Sequence, residues 1–251
     1  MKPADIRGRH DLGQIIGLAW RVYLDNLAAM FAIALTTVPL RMLAAVIPAT
    51  GGPAAGRASL EAAFFVASIV VGAVANGALI HAINEASAGG RPAFSRSVDA
   101  GIERIGALIS SMLLMYALVV ASLIAAPYFA VRWAFNPQAV MIEGKRNWAS
   151  LDASSSIVKG QWWRTFGILL VSALIMLGPL VVASGIAIAL PVLAGATIEG
   201  VGIAFALPFL IAAQTMLYYD LRARRESAAA AMQEPDSSPP PEPSRSDDTS
   251  S

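Results

Sequence analysis

Few side chains in this sequence could perform catalysis or hold a metal. The chain contains no cysteine and only two histidines, His10 in a polar leader and His81 at the end of an apolar segment. The lack of cysteine excludes disulfides, thiolate nucleophiles and cysteine-ligated metals. The two histidines have no carboxylates at ligand spacing, so the sequence predicts no metal site.

The serine cluster Ser154, Ser155 and Ser156 does not fit an enzyme motif. It has no G-x-S-x-G elbow around it and no evident histidine base. No glycine-rich loop precedes a basic helix, so no nucleotide-binding loop is predicted. We therefore predict a protein that is not an enzyme and uses no cofactor.

Two arginines inside apolar segments, Arg41 and Arg132, are the remaining candidates for chemistry. An ionisable group at membrane depth is costly, and it is a functional candidate by default. Arg41 lies close enough to the outer end of its segment to extend to the membrane surface, which favours a structural role. Arg132 lies deeper, beside Trp133. It either meets an anionic substrate or forms an ion pair with Glu143 or Asp220.

The composition is that of a membrane protein. Of the 251 residues, 56% are hydrophobic and only 14% are charged, and the mean hydropathy is +0.61. A soluble domain averages about 25% charged residues, so this chain has too few charges to cover a surface that faces water. The net charge of +1 gives no reason to expect a nucleic-acid partner. The expected fold class is all-α, a polytopic transmembrane helix bundle in contact with the lipid bilayer.

The apolar segments determine the expected number of crossings. Four of them approach or exceed the roughly 20 residues that a spanning helix needs, namely 27–47, 60–83, 166–190 and 201–219. The segment 105–142 is too long for one crossing and short for two. A turn near Pro127 would give six crossings and place nearly all basic loop residues on one face, which the positive-inside rule makes cytoplasmic. Both termini are then cytoplasmic, and 128–142, about 23 Å long as a helix, is re-entrant or tilted.

A segment with amphipathic helical periodicity precedes each expected hairpin. Such segments are typical of helices that lie at the membrane interface. The apolar stripes are Leu12, Ile15, Ile16, Ala19 and Tyr23 behind a cap at Asp11, then Phe94, Val98, Ile102 and Ile105, then Trp148, Leu151, Val158 and Trp162. We predict three tandem units, each consisting of an interfacial helix and a transmembrane hairpin.

Small residues are expected to bring helices together in the second span. Ser68, Gly72 and Asn76 recur at four-residue spacing, which allows a neighbouring helix to approach closely.

The composition changes after Glu226 to an alanine run and then to a region rich in proline and serine. Residues 1–226 are therefore predicted to form the transmembrane domain, and 227–251 a disordered cytoplasmic tail.

Two stretches resemble a known family. They are RWAFNPQAVMIEGKRNWASLDASSSIVKGQWWR, from Arg132 to Arg164, and YYDLRARRE, which begins at Tyr218. They are similar to the membrane domain associated with some bacterial glycerophosphodiester phosphodiesterases and to related stand-alone inner-membrane proteins. The matching positions are Arg132, Trp133, Pro137, Glu143, Leu151, Ser154, Gly160, Arg164, Tyr219, Asp220, Arg222 and Glu226. Ala153 stands where relatives often carry a basic residue, which weakens any anion contact at that turn.

The resemblance implies a multi-span partner or regulatory module in the cell inner membrane. In the fused relatives the hydrolase is a separate soluble domain, and its acidic and histidine metal site has no counterpart in this sequence. The expected function is a membrane scaffold or regulatory partner that contacts anionic lipid or another membrane protein. The alternative is a small-solute transporter or permease in which Arg132 binds its substrate near a helix break at Pro127 or Pro137.

Overall fold

The computed structural model describes residues 10–47, 54–122 and 125–233. These residues form eleven helices and no strand, so the all-α prediction is confirmed. The helices are α1 (Leu12–Asp25), α2 (Leu27–Leu35), α3 (Val38–Val46), α4 (Ala54–Ser87), α5 (Phe94–Glu103), α6 (Ile105–Ala121), α7 (Ala126–Arg132), α8 (Asn136–Glu143), α9 (Trp148–Val158), α10 (Trp162–Ile188) and α11 (Val192–Gln233).

Four helical segments are long and apolar enough to cross a membrane. They are Leu27–Val46, which joins α2 and α3, Gly56–Ser87 in α4, Trp162–Ile188, which is α10, and Val192–Ala231 in α11. Each contains most or all of one of the four apolar segments predicted from the sequence. The last helix continues to Gln233, beyond the predicted domain boundary, and the remainder of the predicted tail, 234–251, lies outside the described residues.

The segment expected to form the middle hairpin is less regular. Helices α5 and α6 meet at a bend of 62° and count as a fifth candidate span only if they are taken together. Pro127 and Pro137 lie in the first turns of α7 and α8, where the missing N–H group costs nothing. Helices of seven and eight residues extend only about 11 to 12 Å. Length and composition therefore identify four or five candidate spans among the described helices, and the sixth stays a prediction.

Most of the three predicted lead-in stripes lies in helices α1, α5 and α9, but Ile105 and Trp162, the last residues of the second and third stripes, lie in the following helices α6 and α10. The capping box of α1 is present, since the Asp11 backbone N–H donates to Gln14 Oε1 at 2.9 Å. Each lead-in helix packs most extensively on the last helix of another unit: α5 on α4, α9 on α8, and α1 on α11. Because α11 belongs to the third unit, the three contacts close into a ring. The three-unit hypothesis stays a prediction, because two of these contacts join helices that are consecutive in the chain and the second transmembrane hairpin is not confirmed.

The ring places a dense core at one end of the bundle. The largest fully buried side chains include Tyr23 on α1, Phe135 before α8 and Tyr218 on α11. The other end differs, because α10 and the start of α11 present exposed apolar side chains such as Ile188 and Val192. Extended apolar exposure of this kind marks a surface that contacts lipid or protein.

Candidate functional site

The end of the bundle that contains the core also carries most of the paired charges. We call it the basic end, and at its centre lies Asp220 on α11, whose side chain is 0% exposed. Oδ2 accepts hydrogen bonds from Arg164 Nη1 at 2.6 Å and Arg224 Nε at 3.0 Å. Oδ1 accepts one from the backbone N–H of His10 at 2.6 Å.

The same two arginines also hold the backbone that precedes α1. Nη2 of Arg164 and Nη2 of Arg224 donate to the His10 carbonyl oxygen at 2.7 and 2.8 Å. Asp220 therefore joins the chain before α1 to the beginning of α10 and to the C-terminal half of α11. A buried carboxylate with three donors is fully paired, so this cluster primarily fixes the architecture.

Glu143 forms a second cluster at the end of α8. The Tyr218 hydroxyl donates to Glu143 Oε1, Lys145 Nζ lies 2.8 Å from Oε2, and Arg222 Nη1 lies 3.6 Å from Oε1. Burial raises the pKa of Glu143, but hydrogen bonds from Lys145 and Tyr218 and the charges of Lys145 and Arg222 outweigh it. The pKa of Glu143 therefore lies below its ordinary value, and the side chain is ionised at neutral pH.

Adjacent tyrosines on α11 connect this end of the bundle. Tyr218 reaches Glu143 on α8, and the Tyr219 hydroxyl donates to Asn84 Oδ1 at the end of α4. These bonds join the last helices of all three predicted units. An acidic residue on each of these three helices also contacts a segment that begins a predicted unit, through the pairs Glu85–Arg96 at 3.0 Å, Glu143–Lys145 and Asp220–His10.

Ser154 stabilises the break between α7 and α8. Its hydroxyl donates to the Arg132 carbonyl oxygen at 2.9 Å and accepts the Phe135 N–H at 3.2 Å. Trp133, within the break, stacks on Phe129 with ring centroids 4.7 Å apart. The serine cluster thus includes a structural cap for a turn.

Gly160 allows α9 to turn directly into α10. Its φ of +80° lies in the left-handed region that glycine adopts without strain. The turn brings Lys159 and Gln161 beside Arg132 and the end of α11. The result is a cavity on the basic end.

This basic cavity has a volume of about 520 Å³. Its charged lining residues are Arg132, Lys159, Arg224, Arg225 and Asp152. Four cations and one carboxylate leave three net positive charges, and the pairing of Arg224 with Asp220 removes one of them. Such a cavity attracts anions, and guanidinium groups match the geometry of phosphate oxygens.

Arg132 does not form the ion pair that the sequence suggested. Glu143 and Asp220 are both occupied by other cations, and no carboxylate among the described residues lies within ion-pairing distance of Arg132. Its Nη1 lies 3.4 Å from the Tyr128 hydroxyl, a weak hydrogen bond. That part of the prediction was wrong, because Arg132 faces the basic cavity rather than the interior of a span.

The structure brings most of the resemblance positions together at the basic end. Arg164 pairs with Asp220, Glu143 with Arg222, and Arg222 with Glu226 at 2.9 Å. The remaining positions support the backbone or the core: Trp133 in the break, Pro137 at the start of α8, Leu151 in the core of α9, Ser154 at the cap, Gly160 at the turn and Tyr219 at the contact with α4.

Sequence reasoning did not single out Asn84, Tyr218, Arg225 or the backbone of His10. Arg225, which lines the basic cavity, donates to the Ser156 hydroxyl. A signal for Asn84 was available, because Asn84 and Glu85 follow the apolar segment 60–83 directly, as Asp220 follows the apolar segment 201–219. The role of the His10 backbone had no local signal.

Within the described ranges, no group of three or more His, Cys, Asp or Glu side chains is placed to hold a metal ion. Comparisons with protein-family models, curated proteins and solved structures find no match to this chain.

Proposed function

We propose that this chain is a non-enzymatic integral protein of the bacterial inner membrane that binds anionic lipid headgroups at its basic end. In this role it acts as a scaffold or regulatory partner for other membrane proteins. The observation that carries the proposal is the basic cavity, in which Arg132, Lys159 and Arg225 converge around a space of about 520 Å³. The family resemblance of the segments around Arg132 and Asp220 agrees with such a role.

The proposed topology places the basic end in the cytoplasm. The chain before α1, the end of α4, the end of α8, the start of α10 and the end of α11 are connected there by the bonds of Asp220, Glu143 and Tyr219. Four full crossings therefore put both ends of the chain on one side, and the positive-inside rule assigns that side to the cytoplasm.

The segment from α5 to α8 also begins and ends at the basic end. We favour a re-entrant path over two further crossings, since the Trp162 side chain donates to the Tyr128 carbonyl oxygen at 3.2 Å. This bond holds α7 close to the start of α10, at the level of the basic end. Either path preserves the sidedness, because both return the chain to its starting face.

Exposed tryptophans give the basic end the character of a membrane interface. Trp148 and Trp163 are 63% and 78% exposed, and tryptophan is enriched at the level of lipid headgroups. A cation near an anionic leaflet contributes about 1 kcal/mol to membrane binding. A headgroup phosphate in the cavity would replace the carboxylate partner that Arg132 lacks among the described residues.

A permease that binds its substrate at Arg132 is the second candidate. The helix break directly after Arg132 favours it, because broken helices line many transport sites. The position of Arg132 argues against it, since the side chain shares its cavity with Lys159 and Arg225 at the surface.

The test compares two double variants with the same change in charge. Lys159→Gln/Arg225→Gln removes two cations from the cavity, and Arg91→Gln/Arg146→Gln removes two from exposed loop positions outside it. We expect the cavity variant to retain phosphatidylglycerol about 100-fold less tightly or worse, since each of the two cations loses a charge-assisted hydrogen bond to the phosphate that contributes about 1.5 kcal/mol or more. The loop variant should lose much less. Retention is measured by native mass spectrometry after reconstitution in bilayers of defined composition.

Equal losses in both variants would contradict a specific site and indicate general surface attraction. Solute-specific uptake into proteoliposomes that Arg132→Ala abolishes, with the fold intact, would support the permease instead.

A further inference from the structure

A second cavity lies at the end of the bundle opposite the basic cavity. It has a volume of about 440 Å³ and lies between α3, α4 and α11. Its walls are mainly apolar, and Phe65 on its lining is 66% exposed, so the cavity is open at the surface of the bundle. We call it the lateral groove. The two charged side chains that line it are Arg41 and Glu61.

The small residues of α4 create this groove instead of a helix contact. Ser68 and Gly72 were expected to pack against a neighbouring helix, but both are exposed and line the groove. A Cβ atom added at Gly72 would meet nothing within 4 Å. The packing prediction was therefore wrong for these two positions.

The groove extends over about one leaflet of a bilayer. Glu61 precedes Asn84 by 23 residues on the continuous helix α4, which corresponds to about 35 Å at 1.5 Å per residue. The hydrocarbon core of a bilayer is about 30 Å thick. With Asn84 at the cytoplasmic headgroups, Glu61 therefore lies at the opposite headgroups. Ala75, the lining residue of α4 farthest from that surface, lies about 21 Å below Glu61.

The charges at the outer end of the groove form no ion pair within the described part of the chain. Neither Arg41 nor Glu61 forms an ion pair with another of the described residues, and residues 48–53, which join α3 to α4, contain no ionisable side chain. Arg57 lies one turn further out on α4, and its buried Nε has no hydrogen-bond partner in the described part of the chain. Charged groups at a membrane surface beside an apolar groove match a headgroup that carries both signs of charge.

We infer that the lateral groove binds one phospholipid of the outer leaflet, with a phosphoethanolamine headgroup. One acyl chain lies along the groove, the phosphate contacts Arg41, and the ammonium group donates hydrogen bonds to Glu61. A trimethylammonium group could not donate such bonds, which is why the inference specifies ethanolamine. A narrow groove of 440 Å³ over about 21 Å has the shape of a hydrocarbon chain. The inference rests on the proposed transmembrane orientation but not on the basic cavity.

The test fills the groove with a side chain. Gly72→Phe projects a ring into it, and the matched control Gly185→Phe projects the same ring from α10, where an added Cβ also meets nothing within 4 Å. Each protein is reconstituted in bilayers of phosphatidylethanolamine and phosphatidylglycerol and then extracted into mild detergent. Retained lipids are identified by native mass spectrometry, and melting temperatures establish that both variants fold.

We expect the wild type and Gly185→Phe to retain one phosphatidylethanolamine. Retention by Gly72→Phe should fall about tenfold or more, because excluding two methylene groups already has that effect. Glu61→Gln should abolish the preference over phosphatidylglycerol. Unchanged retention by Gly72→Phe, or a wild type without preference, would overturn the inference.

A further variant separates the two sites. Lys159→Gln/Arg225→Gln should leave the bound phosphatidylethanolamine in place. If the groove retains no lipid while the basic cavity still retains phosphatidylglycerol, the inference fails and the proposed function stands.

Discussion

The two ends of the bundle differ in whether their charged side chains form ion pairs with other described residues. At the basic end Asp220 and Glu143 are buried or half-buried and have several donors each. At the other end Arg41 and Glu61 are exposed and have no ion-pair partner among the described residues. The helices α4 and α11 contribute to both ends, so their presence does not explain the difference in charge pairing. The difference lies in how many further segments converge, because the basic end also receives α1, α8, α9 and the start of α10.

This contrast indicates that the basic end is held by directional bonds and the opposite end by packing of small residues. Gly195 and Gly202 at the start of α11 illustrate the second case. An added Cβ would lie 2.7 Å from the Ala187 carbonyl oxygen at Gly195 and 2.6 Å from the Ala183 Cβ at Gly202. The two modes predict different responses to mutation.

The largest effect is expected at the buried carboxylate. Asp220→Ala leaves Arg164, Arg224 and the His10 N–H without their acceptor, so we expect a loss of about 3 to 5 kcal/mol in the free energy of unfolding. Unfolding in detergent micelles, followed by circular dichroism, measures it. The exposed Asp152→Ala is the control. A loss below about 1 kcal/mol would mean that the basic end does not depend on this cluster.

A smaller effect is expected from overpacking the opposite end. Gly195→Val forces its side chain against the backbone of Ala187, and we expect a loss of about 1 to 3 kcal/mol. Gly185→Val, which enters open space, should be close to neutral. The same unfolding measurement applies. Equal stability of the two variants would contradict the claim that close packing of small residues stabilises this end of the bundle.

The cap on the α7–α8 break is expected to contribute less. Ser154→Ala leaves the buried Phe135 N–H unpaired, which costs about 1 to 2 kcal/mol. Hydrogen exchange should accelerate at residues 133–136. Ser155→Ala is the matched control, because the Ser155 hydroxyl donates to the Asp152 carbonyl oxygen within its own helix and does not support the break. Acceleration in both variants would argue against a specific cap.

The smallest effect is a dependence on pH at Glu143. Its pKa is lower in the folded than in the unfolded chain, so it stabilises the fold at pH values above its ordinary pKa of about 4.3. This stabilisation is lost as the pH falls from there through the folded value. Melting temperatures of Glu143→Gln should therefore depend less on pH below about 5 than those of the wild type. Glu226→Gln, at a more exposed carboxylate, is the control.

The positions of the long spans could be read from the sequence. The apolar segments 27–47, 60–83, 166–190 and 201–219 correspond to helices that could cross a membrane. The lead-in stripes also correspond to helices, and the cap at Asp11 is present. These features depend on residues that are close in the chain, and their periodicity is visible without knowledge of any neighbour.

Only the tertiary structure decided which charges meet. Asp220 binds the backbone of His10, 210 positions away in the chain. Arg132, for which the sequence left open an anionic substrate or an ion pair with one of two carboxylates, lines a basic cavity and forms neither ion pair. Ser68 and Gly72 have the spacing of a helix contact, yet they border a groove. Contacts between helices depend on how each helix is rotated and which segments converge, and neither property is encoded in the spacing along one segment.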